Sequence, residues 1–356
     1  MRQTKSSPAN LTKQKILIFG GTGSLGHALV RRLSDDNQLI IYSRDEAKHW
    51  TMRNHLGKDS TVQFEVGDIR DSERVEEIIL KWQPTILIIA AALKQVDTCE
   101  RSPSESILTN IIGIRNIVAA VNRQIDRLPD LETVMMISTD KACAPTNVYG
   151  MCKAISERLV TSQSLTMTKP KFVAVRYGNV LESRGSIIPL FRWQAENLDK
   201  FTVTHPEMTR FVMTLDESID LIIATCKGAK SGETWLPRLR AMRIMDLASI
   251  FSEKYGKPID IIGLRPGEKL FEELISGPES VRVRLDGDYY RMAPAHVMPA
   301  LDAKAFSYGS NDDVLDRPAL EAYLNSLNMF GGNMDQFVGI EIDEIAKTKP
   351  LKAARS

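Results

Sequence analysis

The stretch ISTDKACAPTNVYGMCKA, Ile137 to Ala154, sets an acid and an amine, Asp140 and Lys141, after an apolar run. A phenol and a second amine, Tyr149 and Lys153, follow. The segment NVYGMCKAISERLV has helical apolar spacing, and residues four apart on a helix share a face, so Tyr149 and Lys153 stand beside one another. A phenol with a pKa near ~10 is a poor base at neutral pH, and a neighbouring ammonium favours its ionised form. Asp140 and Lys141 form either a salt bridge at a strand end or a proton donor and acceptor for a reacting centre. Tyr-x-x-x-Lys also occurs by chance on ordinary helix surfaces, so the rest of the chain must decide.

The segments that position these groups alternate. KILIFGGTGSLGHALVRRL reads as a buried strand, a glycine turn and an amphipathic helix, and QLIIYSRDE as a second strand. TVQFEVGD, TILIIAAAL, TVMMIS and KFVAVRYGNV read as further strands, with helices over SERVEEIILKW, SILTNIIGIRNIVAAV and the Tyr149 segment. Such alternation predicts parallel strands joined by right-handed crossovers, hence an α/β fold with a Rossmann-type doubly wound parallel sheet. After Leu181 the alternation weakens: ESRGSIIPLF, HPEMTRFVMTLDESIDLIIAT and GLRPGEKLFEELI read as helices and loops of a smaller C-terminal lobe that closes over a ligand. The expected division is a disordered arm over 1–14, a Rossmann domain over 15–181, a mainly substrate-binding lobe over 182–330, and an extension over 331–356. That extension is an oligomer contact or disorder.

Gly20, Gly23 and Gly26 form G-x-x-G-x-x-G between the first strand and the first helix. There the backbone must turn tightly and approach a pyrophosphate, which sits on the helix N-terminus and its unpaired N–H groups. Inside a strand–helix–strand unit the pattern points to a dinucleotide. An acid at the end of the second strand would take the ribose 2′-hydroxyl of NAD, whereas this chain has Ser43 and Arg44, suited to a 2′-phosphate. NADP is favoured; the alternative is that Arg44 is a solvated charge and Asp45 takes the ribose. Asp68, in GDIRD, either touches the adenine edge or caps a helix. Beside such a cofactor, Tyr149 becomes a base for an alcohol being oxidised, and Lys153 holds the nicotinamide ribose.

Bulk properties exclude other classes. Across 356 residues, 46 basic and 45 acidic side chains leave a net charge of +1, so no global field favours nucleic acid or an anionic membrane. Cys99, Cys143, Cys152 and Cys226 show no C-x-x-C spacing and suit a reducing cytoplasm, and five scattered histidines argue against a zinc site. The N-terminus lacks an apolar signal-peptide core, and no apolar run approaches a bilayer span.

The glycine turn with Y-x-x-x-K resembles an extended short-chain dehydrogenase/reductase. STDKA, YGMCK, RYGNV, SRGSIIPLF, MTRF and RPGEK resemble, in order and spacing from about Lys15 to about Leu327, the UDP-N-acetylglucosamine 4,6-dehydratases. The likeness is to the 5-inverting type that begins pseudaminic acid synthesis. It implies that Tyr149 deprotonates the sugar 4-hydroxyl as NADP+, tightly bound and regenerated each turnover, takes hydride from C4. Neutral Lys141 would then remove the C5 proton, protonated Asp140 would donate to the departing 6-hydroxyl, and hydride would return to C6. Thr139 would polarise O4.

The resemblance further implies cofactor contacts from Ser24, Leu25, Ile69, Ala90, Ala91, Lys94 and Asn110. It implies UDP-sugar contacts from Lys94, Asn179, Arg184, Arg210, Arg265 and Glu268, guanidinium groups gripping the diphosphate in two-pronged fashion. It also implies a homo-oligomer, a dimer or a hexamer of dimers. Gln95, Asp97 and Cys143 depart from the usual pattern; Cys143 stands where alanine is common and reads as a small buried residue. Tyr149 favours inversion, since retaining enzymes often carry methionine there. A retaining dehydratase, a UDP-sugar 4-epimerase and a non-catalytic NADP-sensing protein are the competing readings.

Overall fold

The computed structural model describes residues 8–330 except 58, 182, 184 and 301. The apolar runs become β1 (Lys15–Phe19), β2 (Gln38–Ser43), β3 (Gln63–Val66), β4 (Ile86–Ile89), β5 (Thr133–Ile137) and β6 (Lys171–Val175). They pair in parallel in the order β6-β5-β4-β1-β2-β3. Order reverses between β1 and β4, and the crevice at such a switch point is where an open α/β sheet takes its ligand. Helices α1 (Ser24–Leu33), α2 (Glu46–Leu56) and α3 (Ser72–Trp82) connect the first strands. Then come α4 (Val96–Arg101), α5 (Pro103–Ile107), a π-helical turn over Leu108–Ile112, α6 (Gly113–Arg123) and α7 (Val148–Thr161). The fold class read from the sequence is therefore the one observed. The π-turn interrupts what the sequence presents as one helix, and such turns gather near functional sites.

The chain after Leu181 departs from the expected helices and loops. It forms α8 (Ile187–Asn197), β7 (Phe201–Val203), β8 (Thr209–Val212), α9 (Leu215–Gly228), β9 (Thr234–Pro237) and β10 (Arg240–Arg243). These are followed by α10 (Ile244–Tyr255), β11 (Ile259–Ile261), β12 (Glu273–Ile275), α11 (Gly277–Ser280), β13 (Val283–Asp286) and β14 (Tyr289–Met292).

Not all of this is the smaller lobe. β9 pairs in parallel with β6, and β14 and β13 extend it antiparallel, giving a nine-stranded sheet. Ile219 and Ile222 of α9 share a core cluster with Leu29 of α1. The boundary expected at 181 is thus crossed twice, because these segments bury their apolar faces on the main sheet.

Two clusters cover the faces of that sheet, and a third, built on Phe191, Phe201, Met242 and Phe251, fills the smaller lobe. The arm expected over 1–14 also needs correction. Leu11 is buried in the main core, and Asn10 accepts from Arg32 Nε at 2.8 Å. Residues 1–7 and 331–356 lie outside the described residues.

Candidate active site

The glycine turn sits at the switch point. Gly20 has φ +81°, and a Cβ there would lie 2.5 Å from the backbone of Ala91, so the loops after β1 and β4 touch. A Cβ on Gly26 would lie 1.8 Å from the carbonyl oxygen of Gly21, so the third glycine lets α1 seat against the turn. Gly23 caps α1 without a side-chain hydrogen bond, and the first turn, which includes Ser24 and Leu25, holds no acid. The positive end of the helix thus faces the switch point, where an anion would be favoured.

At the end of β2 the expected roles divide. Asp45 caps α2, accepting from Lys48 N at 3.0 Å. Arg44 is 54% exposed at its side chain and 3.8 Å from Asp68. Ser43 is already engaged: Thr22 donates to its hydroxyl at 3.1 Å, and His49 Nε2 lies 2.6 Å away. Burial lowers the His49 pKa. Asp68 does not cap α3, a role taken by Asp71; it pairs with Arg70 at 2.7 Å. Burial would raise its pKa, but the bonds to Arg70 outweigh burial and hold it below the usual value.

Ile69 is buried against Gly113. Asn110, on the π-turn, is fully buried and closes on both backbone groups of Leu93, at 2.8 and 2.9 Å. Its amide therefore shapes the loop of Ala90, Ala91 and Lys94 from behind. Lys94 is exposed at the loop's rim.

Tyr149, Lys153, Asp140 and Thr139 converge where β5 meets α7, which Asn147 caps through Gly150 N at 2.8 Å. The Tyr149 phenol is pushed up, first by burial and then by the Asp140 charge, while the neighbouring Thr139 hydroxyl works the other way. That direction opposes the expectation of a phenol lowered by Lys153. Lys153 is deeply buried, its Nζ donating to Ile137 O at 2.5 Å, and burial brings its pKa down to about 8. Tyr177, which the motif reading left without a role, is pushed up by burial and then by Tyr149 nearby.

Thr139 Oγ1 donates to Asp140 Oδ1 at 2.9 Å. Lys141 Nζ reaches that same oxygen at 3.2 Å and Glu272 Oε1 at 3.2 Å. Burial opposes the ammonium, but the two carboxylates outweigh it and hold Lys141 above its ordinary pKa, while Arg210 works the other way. The neutral Lys141 expected from the sequence is thus not the resting form, because a second acid closes on it. Asp140 Oδ2 and Glu272 Oε2 are buried without a hydrogen-bond partner among the described residues. No motif marked Glu272; its one signal is an acid inside the run LFEELI.

The residues expected to hold the substrate are placed unequally. Arg210 is 7% exposed and donates to the carbonyls of Thr209, Lys269 and Leu270 at 2.7 to 3.2 Å. Its fork fastens the segment before β12, so it is a structural clamp and not an open diphosphate grip. Glu268 Oε2 accepts from Arg265 N at 3.1 Å, making a closed turn that presents the exposed Arg265. Lys269 ties this loop to the carbonyls of Cys143 and Ala144 at 3.0 and 2.7 Å, beside the catalytic segment. Asn179 keeps a buried Oδ1 with no partner among the described residues. Arg184 lies outside the described residues. Cys143 is buried and its Sγ donates to Glu279 Oε2 at 3.3 Å, and burial raises its pKa, as an inert thiol requires.

A second buried cluster ties these parts together. Arg176, on the residue after β6, is 1% exposed and pairs with Glu157 of α7 at 2.6 Å and Glu279 of α11 at 2.9 Å. It also donates to Leu274 O at 2.9 Å. Sequence patterning missed it, since a charge beside an apolar strand reads as surface.

A Rossmann sheet with the glycine turn at its switch point, and a Tyr-x-x-x-Lys helix beside it, defines an extended short-chain dehydrogenase/reductase. Within that class the chain belongs to the polysaccharide biosynthesis protein family, whose model matches residues 16–294. It is 41% identical over 281 residues to a Methanocaldococcus jannaschii protein described as an uncharacterized membrane protein, over 75% of this chain and 82% of that one. It is 36% identical over 287 residues to UDP-glucose 4-epimerase of Rickettsia canadensis, over 78% and 82%. The crystal structure of Pen from Bacillus thuringiensis superposes with a TM-score of 0.81 at 32% identity, over 90% of this chain and 99% of that one. Among the described residues of the present chain, no helix is long and apolar enough to cross a membrane.

Proposed function

We propose that the protein is an NADP-dependent UDP-N-acetylglucosamine 4,6-dehydratase that inverts C5. The observation that carries this reading is the buried Asp140–Lys141–Glu272 cluster beside Tyr149. A 4-epimerase oxidises and reduces one carbon and has no use for a mobile proton next to C5 and C6, whereas elimination of water needs both a base and an acid. Bound NADP supplies the hydride acceptor and donor. The chain's own residues do the rest: Tyr149 takes the 4-hydroxyl proton, Thr139 stands beside the phenol, and Lys153 carries a positive charge behind it. Proton transfer from Lys141 to Asp140 converts the ion pair to an amine and a carboxylic acid without changing the cluster's net charge. This supplies the base for C5 and the acid for the leaving hydroxyl from the resting form.

For the cofactor, the uncapped α1 N-terminus fits a pyrophosphate, and Arg44, with Asp45 committed to capping α2, favours NADP over NAD. Arg44→Ala is expected to weaken NADP binding by about 10–100-fold, the weight of a hydrogen bond to a charged group, and to leave NAD binding unchanged. Titration calorimetry with both dinucleotides checks this, and equal loss for both would remove Arg44 from the 2′-phosphate site.

The deciding experiment is incubation with UDP-N-acetylglucosamine in deuterated water, followed by mass spectrometry and NMR. A 4-keto-6-deoxy product, lighter by one water, deuterated at C5 and of L-arabino configuration, is expected. The D-xylo product would move the assignment to a retaining dehydratase. The epimerase name of the 36% identical relative supports a second reading, in which only UDP-N-acetylgalactosamine appears.

A further inference from the structure

Glu272 is 2% exposed, stands immediately before β12 and brings a second carboxylate to a lysine that already has one. Burying a charge without full hydrogen-bonding is costly, and here two carboxylate oxygens, Asp140 Oδ2 and Glu272 Oε2, are left open side by side with the reacting groups. Arg210 faces Lys141 from β8 and opposes its ammonium, so the second anion does not merely add to a comfortable ion pair. On the other side Asp140 accepts from Thr139. Thr139 and Lys141 thus both bond Asp140, and Glu272 closes on Lys141 from the other side.

Resting on the dehydratase reading, we propose that Glu272 is the positioning residue of the elimination step, holding Lys141 in place and protonatable while Asp140 is engaged with the leaving hydroxyl. The protons balance. A proton passes from Lys141 to Asp140; the amine takes the C5 hydrogen as a proton, and its electron pair forms the C5=C6 bond. The C6–O bond breaks, the hydroxyl leaves with the Asp140 proton as water, and the cluster returns to one ammonium between two carboxylates. A proton from water then reaches C5 from the face opposite Lys141, which inverts that carbon, and the proton that Tyr149 took from O4 is released to water. When Asp140 is protonated, Glu272 is the anion that keeps Nζ within reach of C5.

Rapid quenching of the holoenzyme with UDP-N-acetylglucosamine, read by mass spectrometry, separates the 4-keto sugar that still carries its 6-hydroxyl from the dehydrated product. In Glu272→Gln the first is expected to form at the wild-type rate while water loss slows about 100-fold, so that the 4-keto hexose accumulates. Glu272→Asp keeps the charge at shorter reach and is expected to recover about tenfold of that loss. Water loss within about threefold of wild type in Glu272→Gln, or equal slowing of both steps in both variants, would overturn the proposal. If Glu272→Gln does not fold, Glu272→Asp alone decides: water loss slowed about tenfold with unchanged 4-keto formation supports the role, and its absence refutes it. Wild-type enzyme that forms no dehydrated product refutes the underlying reading instead, which the variants cannot mimic.

Discussion

Tyr149→Phe is expected to lower turnover of UDP-N-acetylglucosamine by about 10³-fold, the middle of the range for a positioned proton-transfer group. The variant should still fold. A single buried hydroxyl hydrogen bond is worth about 1 kcal/mol, so its loss is small beside the stability of the fold. The size of the kinetic effect follows from the site's electrostatics. Burial and Asp140 push the phenol's pKa up in the protein alone, so the hydroxyl must first lose its proton to act as base, and a cation behind it favours that ionised form.

Lys153 is that cation, and burial brings its own pKa down to about 8. Its charge is therefore present below about pH 8 and lost above it, and activity is expected to fall on the alkaline side of that value. Lys153→Arg, which stays charged, should move the alkaline limb upward even if the maximum rate drops. Steady-state rates from about pH 6 to 10 for wild type and the two variants measure this. A Tyr149→Phe enzyme that keeps a tenth of wild-type turnover would end the assignment of Tyr149 as base.

How much of this was legible beforehand depends on which interactions are local. Gly20, Gly23, Gly26, Tyr149 and Lys153 work at fixed offsets along the chain, so their types and spacing alone place them on a turn or on one helix face. Helix α3, over Ser72–Trp82, matches its apolar spacing residue for residue. Partnerships made across the fold leave no such trace. Glu272 reaches Lys141 from far along the chain, and Arg210 turns its fork onto carbonyls that no periodicity identifies.

The return of β9, β13 and β14 to the main sheet was hidden for a related reason. Strands of four residues carry too little period to announce which sheet they join. The protonation state of Lys141 was misjudged for the same cause as Glu272 was missed, since the second carboxylate decides it.

Arg176→Met is expected to destabilise the fold by about 3–5 kcal/mol, the range for removing one partner from a buried ion pair. That is a large part of the roughly 5–15 kcal/mol of an ordinary domain. Two carboxylates, Glu157 and Glu279, would be left facing an apolar side chain at the junction of α7, β6 and α11. The dependence on pH should change sign as well. In the native protein burial would raise Glu279, but Arg176 and the Ser276 hydrogen bonds outweigh it and bring the pKa down to about 2 from its ordinary 4.5. That contribution is fully present above about pH 4.5 and is lost as pH falls toward 2.

Without Arg176, burial is opposed at Glu279 only by the Ser276 hydrogen bonds, its pKa rises, and as it moves above 4.5 the variant should gain stability between about pH 7 and 4.5, where the native contribution is constant. Urea unfolding at about pH 7 and about pH 4.5 measures both effects. The triple variant Arg176→Met, Glu157→Gln, Glu279→Gln should recover most of the loss, because no unpaired charge remains. Full recovery of stability with turnover still depressed would show that the cluster's further task is to hold α7, and with it Tyr149 and Lys153, against the segment that carries Glu272. A destabilisation below about 1 kcal/mol in the single variant would mean that water already reaches the cluster and that α7 is held by packing alone.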